Sequence, residues 1–402
     1  MAISSIAGVS NVTLWNMARK ADPTFASHTA KATADTFTEK GFEAIQRSNV
    51  SALNEWFNVS LRIAFQMLNV ATAKNPLAGS GLVEVYDTPN GGYVQRMALN
   101  AIKPVSPAFK GLQNGDAPDP YIVRKPDLTE RFFAQNFDFQ NFITNQDFQI
   151  KTIFISEFGM GQILAGILEG LQASYTKQEY FNTLEAINAG INSTSHALKD
   201  SQVVRLTSWT DAGVTTAELT EFIKIGKNIA RHMESVASTS EYNAASFDSV
   251  TNPEDYVMLV RPSVLTDIET MNALNAPGSV SIPFAVHAVE NFGGMQPYTA
   301  DGVTRLYPVY DSLGVEIGYS ALEGATEPEY TDEQISWVDP NAEILAIIAQ
   351  KGLVFENAQN PYTVEPIRNP RGMYDNYWAN RPNNSIVYDY YRNVIVIAKP
   401  IS

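Results

Sequence analysis

Hydrophobic positions cluster most densely in two runs near the C-terminal end, Ile344–Phe355 (ILAIIAQKGLVF) and Ile386–Ala398 (IVYDYYRNVIVIA). Val394, Ile395, Val396 and Ile397 follow one another without a polar interruption, which predicts a strand covered on both faces. The two runs are expected to form a core strand pair. Between them lies a polar segment, TVEPIRNPRGMYDNYWANRPNN, with Tyr374, Tyr377 and Trp378 inside five residues. It is too long and too aromatic for a simple hairpin turn. Aromatic and arginine side chains on a long excursion need a surface to pack on, and both are enriched at protein–protein interfaces. An adhesive arm is the expected result.

Residues 1–32 are small and polar with isolated apolar positions, the pattern of an extended arm. From Thr33 to Ala73 the period turns helical, with Leu53, Phe57, Leu61, Ala64 and Leu68 widened by Trp56, Ile63, Met67 and Val70. Such a face packs either on its own domain or on a neighbouring copy. Gly79–Leu99 reads as a hairpin about a PNGG turn. The next segment, Asn100–Thr129, carries Pro104, Pro107, Pro118, Pro120 and Pro126 and is expected to be a long, partner-covered loop. Alternation over Phe132–Phe154, clearest at Phe148, Ile150, Thr152 and Phe154, marks a returning strand.

A long helix follows over Ser156–Ala189, roughly 45 Å if continuous, with Gly190 as its expected C-terminal cap. From Asn192 to Val338 short helices and strands alternate. Thr215-x-x-Glu218 is a capping box opening a helix with Leu219, Phe222, Ile225 and Ile229 on its apolar side. Tyr256–Val260 is a buried strand, a helix runs from Pro262 to Leu274, and Ile282–Val289 and Leu306–Tyr310 supply further strands. The acid-rich stretch Glu323–Glu333 leads to the closing strands. The segment reads as a mixed α/β lobe.

Length and composition narrow the function. A chain of 402 residues with 45% hydrophobic and 11% aromatic residues can bury two lobes. It contains no cysteine, which removes disulfides, thiolate metal sites and thiol nucleophiles and suits a reducing cytoplasm. The formal charge is −15, from 43 acidic against 28 basic side chains, and no Lys/Arg run occurs. A direct nucleic-acid binder ordinarily shows one. Acidic charge either keeps the protein dispersed or gives a wall past which DNA can slide. No secretion signal and no run of about eighteen apolar residues is evident.

Candidate chemistry is sparse. Gly159-Met160-Gly161 precedes a helix, as a dinucleotide-binding turn would, but the third glycine position holds Leu164. His28, His196, His232 and His287 show no metal-ligand spacing, and neither a P-loop nor a GxSxG elbow occurs. No catalytic residue, metal or cofactor is assigned.

The IRNPRGMYDNYW segment, together with the order of loop, long helix, α/β lobe and closing strands, resembles the major capsid proteins of tailed bacteriophages, most of all those of small podophages. The resemblance implies an α+β, HK97-like capsid fold: N-terminal arm and helix (1–78), extended hairpin loop (79–154), spine helix of a peripheral domain (155–195), axial domain (196–336), and return strands and arm of the peripheral domain (337–402). It implies a shell protein, not an enzyme, that assembles as hexamers and pentamers into an icosahedral head enclosing double-stranded DNA without sequence-specific binding. Expected partners are a separate scaffolding protein and a portal protein, in the host cytoplasm and then in the virion. Arg368, Arg371, Tyr374, Tyr377 and Trp378, with Trp56, Phe57 and Phe109, are the candidate subunit contacts, although the C-terminal group could instead close its own domain's core. Some relatives cross-link through Lys and Asn. Lys103, Lys110 and Lys125 lie in the loop, but no catalytic residue carries over. A cellular nanocompartment shell and an unrecognised soluble α/β enzyme are the alternative readings.

Overall fold

Three strands in which every residue is buried set the architecture: Tyr256–Val260, Ile344–Gln350 and Val394–Ala398. The computed structural model describes residues 8–33, 55–61, 77–86, 94–99, 128–133, 137–146, 158–210, 214–234, 239–247, 251–274, 282–292, 296–300, 304–310, 316–322, 324–330, 334–339, 341–357, 363–369, 371 and 374–400.

In chain order, helices α1 (Asn11–Ala21) and α2 (Pro23–His28) precede a helical stretch at 55–61. Strands β1 (Val83–Tyr86), β2 (Val94–Leu99), β3 (Leu128–Phe133) and β4 (Phe137–Gln146) lead to helix α3 (Gly159–Ile191). Then come β5 (Val203–Arg205), α4 (Thr216–Glu234), β6 (Tyr256–Val260), α5 (Pro262–Leu274) and β7 (Ala285–Ala288). Four short strands follow, β8 (Gln296–Thr299), β9 (Tyr307–Tyr310), β10 (Glu316–Ser320) and β11 (Ile335–Val338). The chain closes with β12 (Ile344–Gln350), β13 (Val354–Asn357), β14 (Thr363–Asn369), β15 (Tyr374–Tyr388) and β16 (Val394–Ala398).

The central sheet of the α/β lobe runs β5-β16-β12-β6-β7. Strands β16 and β6 flank β12 antiparallel, so the two C-terminal apolar runs do provide a core strand pair. Alternate residues serve opposite faces. Met258, Val260, Ile348, Ile395 and Ile397 pack against Leu219, Phe222, Val264 and Ile268 of α4 and α5. Val257, Leu259, Ile347, Ala349 and Val396 pack against Leu184, Ile187 and Ile191 at the end of α3. A boundary near residue 336, which would give β12 and β16 to the peripheral domain, is therefore corrected: it cuts through one sheet. Strands apolar on both sides need helices on both sides, and this lobe supplies them.

A second sheet runs β1-β13-β15-β14, with β4 also paired to β15. The first part of β15 lies between β14 and β4. Its last four residues pair instead with β13. The register shifts between Arg381 and Asn384, around Pro382, which has no N–H for a ladder. The segment expected to be an arm is thus a hairpin, β14 to β15, built into a sheet. The hairpin expected across PNGG does not form either. Strand β1 pairs in parallel with β13, where the buried Leu82 and Val83 find core, whereas β2 pairs with β3 as a separate two-stranded ribbon.

The extended arm expected over 1–32 is corrected as well. Ser10 accepts the Thr13 N–H and Asp22 accepts those of Thr24 and Phe25, which caps α1 and α2. Both helices fold back, placing Leu14, Trp15, Ala18 and Phe25 with Trp56, Phe57, Leu164 and Leu168. The helix expected over 33–73 is present at 55–61, and its remainder lies outside the described residues; of the returning strand expected over 132–154, β4 covers Phe137–Gln146, and 147–154 lie outside them.

Helix α3 is not stopped by Gly190. It continues to Ile191, and Asn192 donates its N–H to the Asn188 carbonyl at 3.0 Å. Gly190 is instead a contact: a Cβ there would lie 2.4 Å from ring carbons of Tyr388. That ring is 5% exposed, and burial pushes its hydroxyl above the ordinary tyrosine range. The capping box of α4 forms as the sequence indicates. Glu218 accepts the Thr215 N–H at 2.7 Å and its hydroxyl at 2.8 Å, and these bonds hold its carboxyl below the usual 4.5.

Two outcomes follow. Gly190→Ala should cost roughly 1–3 kcal/mol of stability in urea unfolding through overpacking, and the cost should vanish in a Tyr388→Ala background; an equal cost in both would refute the contact. For Glu218, a depressed carboxyl contributes stability above its unfolded value that is lost as pH falls through the folded one. Thermal melts should therefore show a shallower acid limb in Glu218→Gln than in wild type.

Candidate subunit-contact surface

Of the eight candidate contact residues, three are spent inside the chain. Trp56, Phe57 and Tyr377 are 0%, 1% and 2% exposed. The Trp56 ring lies 5.4 Å from Trp15, the Phe57 ring lies 5.4 Å from Tyr377, and the Tyr377 hydroxyl donates to Asn58 Oδ1 at 2.6 Å. Their expected role at a neighbouring copy is corrected, because alternation along β15 turns Tyr377 and Ala379 into the core under α3. Trp378 points to the other side of the sheet and is half-buried. Tyr374 is also half-buried, its hydroxyl accepting from Asn369 Nδ2 at 2.7 Å. Arg371 is exposed, and its backbone N–H donates to Asn369 Oδ1 at 3.1 Å. Arg368 stands in β14 opposite Asp375. Phe109 and the three loop lysines lie outside the described residues.

What the sequence missed is the ribbon. The β2–β3 register sets Gln95 against Phe132, Met97 against Glu130 and Leu99 against Leu128. Directly opposed residues share a face, so Met97, Leu128 and Phe132 belong to one side. Met97 and Phe132 are each 62% exposed and Leu128 is 54% exposed. Gln95 and Glu130 are hydrogen-bonded on that side. The signal was available as alternation in both strands, but only the pairing of 94–99 with 128–133 brings the two halves together.

Other outward apolar groups are smaller. Ile367 is exposed on the edge strand β14, where Pro366 withholds a ladder donor and so discourages strand addition. Trp337 on β11 is half exposed and meets the Tyr319 ring edge-on at 6.1 Å, with Ile317 and Leu322 also exposed on this part of the lobe.

Chemistry elsewhere is structural. Gly159, Met160 and Gly161 are buried, and the Met160 N–H is taken by Asn11 Oδ1 at 3.1 Å. The helix start that resembled a phosphate turn is therefore capped from the N-terminal helix. His28 meets Glu55 at 2.7 Å, the His196 ring lies 4.2 Å from that of Tyr390, His232 lies in the last turn of α4, and His287 is in β7. Among the described residues, no cluster of His, Asp or Glu could hold a metal, and no helix is long and apolar enough to cross a membrane.

The family model described as Phi29-like phage major capsid protein matches residues 15–398. Among solved structures, the chain is similar to one in the capsid structure of Staphylococcus phage Andhra, at 14% identity and TM-score 0.54, covering 82% of this chain and 85% of that one. It is also similar to a chain in the structure of the head fiber and inner core protein gp22 of native bacteriophage P68, at 12% identity and TM-score 0.51, covering 79% and 83%. At such identities the likeness concerns the fold. No curated protein matches.

The burial pattern separates two kinds of substitution. Tyr377→Ala should destabilise the isolated chain by about 3–5 kcal/mol, as loss of a buried aromatic does. The pair Met97→Ser and Phe132→Ser should leave its thermal melt nearly unchanged while weakening self-association in sedimentation. A melt lowered as far by the serine pair as by Tyr377→Ala would place the ribbon in the core.

Proposed function

The chain belongs to the Phi29-like phage major capsid protein family, and from that premise we propose how its exposed surfaces join copies into a head. It is a structural protein of the virion whose activity is building the head shell, not catalysis. Copies overlap chiefly through the β2–β3 ribbon, whose apolar side covers a neighbouring subunit, with Arg371, Tyr374 and Trp378 adding contacts from the β14–β15 hairpin. Hexamers and pentamers joined in this way close an icosahedral shell around double-stranded DNA. A separate scaffolding protein and a portal protein take part in the host cytoplasm.

The observation that supports this reading is the ribbon face itself, three large apolar side chains more than half exposed. Burying what remains exposed would contribute about 1–2 kcal/mol each, so roughly 3–6 kcal/mol per ribbon. Association costs about 4–15 kcal/mol in lost freedom and ordering. One ribbon contact therefore does not hold a dimer, but in a closed lattice each subunit gives one ribbon, receives another and adds the hairpin contacts. Weak single contacts also let misplaced subunits leave during assembly.

Electron microscopy of the purified protein, alone and with a scaffolding protein, tests the proposal. Closed particles or ring-shaped capsomers are the expected outcome. A monodisperse monomer or dimer under every condition would overturn it.

A further inference from the structure

Helix α4 buries Leu219, Phe222, Ile223, Ile229 and Met233 against the central sheet. Its outward side carries Lys224, Lys227 and Arg231, at i, i+3 and i+7, with Asn228 and His232 beside them. Lys224 and Arg231 are exposed and Lys227 is half-buried. Seven residues of helix set the outer two about 10 Å apart along one stripe. The acidic residues of the first turns are engaged elsewhere: Glu218 by Thr215 and Thr210, and Glu221 by the backbone N–H and hydroxyl of Thr207. The neighbouring α5 bears Asp267 and Glu269, yet among the described residues no ion pair reaches the three cations. Helix α4 as a whole is neutral, its three cations matched by Glu218, Glu221 and Glu234, so the positive charge is confined to this stripe in a chain of net charge −15.

We propose that this stripe is a contact for the phosphodiester backbone of duplex DNA, which would make the α4 side of the central sheet the side turned to the lumen. The proposal rests on the reading above that the shell encloses double-stranded DNA. A protein partner would call for an apolar anchor at the centre of its footprint, and lysine is depleted from such interfaces. Helix α4 exposes no large hydrophobic residue. Phosphate oxygens require only cations and hydrogen-bond donors, which Lys224, Lys227, Arg231 and Asn228 supply without reading sequence. Each contact is weak and screened by salt, so DNA can still move past. Repetition over the many copies of a shell multiplies the effect.

The test measures binding of a 30-base-pair duplex to the purified full-length chain by fluorescence anisotropy. With about three phosphates neutralised, affinity should fall roughly 40-fold between 50 and 200 mM salt. K224A/K227A/R231A should bind at least about tenfold more weakly at 50 mM salt, whereas the charge-retaining K224R/K227R/R231K should bind as wild type does. Should the alanine variant unfold, K224E at an exposed position is read in the same assay and should also bind more weakly. Undiminished binding by the charge-removing variants, or no salt-dependent binding by wild type, overturns the proposal. Particle formation is scored on the same samples. If wild type forms particles and the folded alanine variant does not, the stripe joins copies to one another and the DNA assignment falls alone. If wild type forms none under any condition, it is the shell reading that fails.

Discussion

Helix α3 is buried by a different core at each end, and the arrangement of both lobes follows from that. Its 33 residues span about 50 Å. Leu164, Leu168 and Leu171 seal the cluster under β15 and the N-terminal helices, while Leu184, Ile187 and Ile191 seal one face of the central sheet. One rigid element shared by two cores fixes the lobes relative to each other. Its two ends are held by chemistry drawn from far away in the chain: Asn11 caps the first turn, and the ring of Tyr388 lies on Gly190 in the last.

A buried polar network locks the second junction. Asn341 donates to Asn188 at 2.7 Å, and Asn192 donates to the same oxygen at 2.6 Å. Arg261 meets Asp339 at 2.6 Å and donates to the Asn341 and Ile344 carbonyls. Such groups cost free energy to bury and repay it only in one geometry, so they specify the angle between helix and sheet more than they add stability. For a protein that must tile a closed surface, a defined angle matters more than a deeper energy minimum.

Without cysteine, the assembled shell has no disulfide to close a weak contact, so its strength must be distributed. The outward apolar face of the β2–β3 ribbon is the most exposed apolar surface among the described residues once the buried clusters are filled. Burial inside the chain and adhesion between chains compete for the same residue types, and in this protein the inner cores take Trp56, Phe57 and Tyr377.

Local signals were readable one element at a time. The capping box at Thr215 and Glu218, the period of α3 and the unbroken β-branching of Val394–Ile397 each identify their element, because each depends on neighbours within a turn or a strand. The resemblance carried by the closing segment pointed to the right family. Pairing was not readable. Nothing within 83–99 says that β1 joins β13 and leaves β2 to β3, since strand partners are chosen by burial across the fold. Likewise Gly190 has the residue type of a cap, and only the ring of Tyr388, almost two hundred positions away, shows why a side chain is excluded. The amino-acid sequence by itself determined the long helix α3, the capped helix α4 and the buried strands β6, β12 and β16, and its resemblance pointed to a shell protein, but it did not show that 11–28 is helical or that the closing segment is a strand hairpin. Which aromatic residues face inward, and which apolar face and which row of cations remain outside, was decided by tertiary packing, because exposure is a property of what covers a residue and not of the residue.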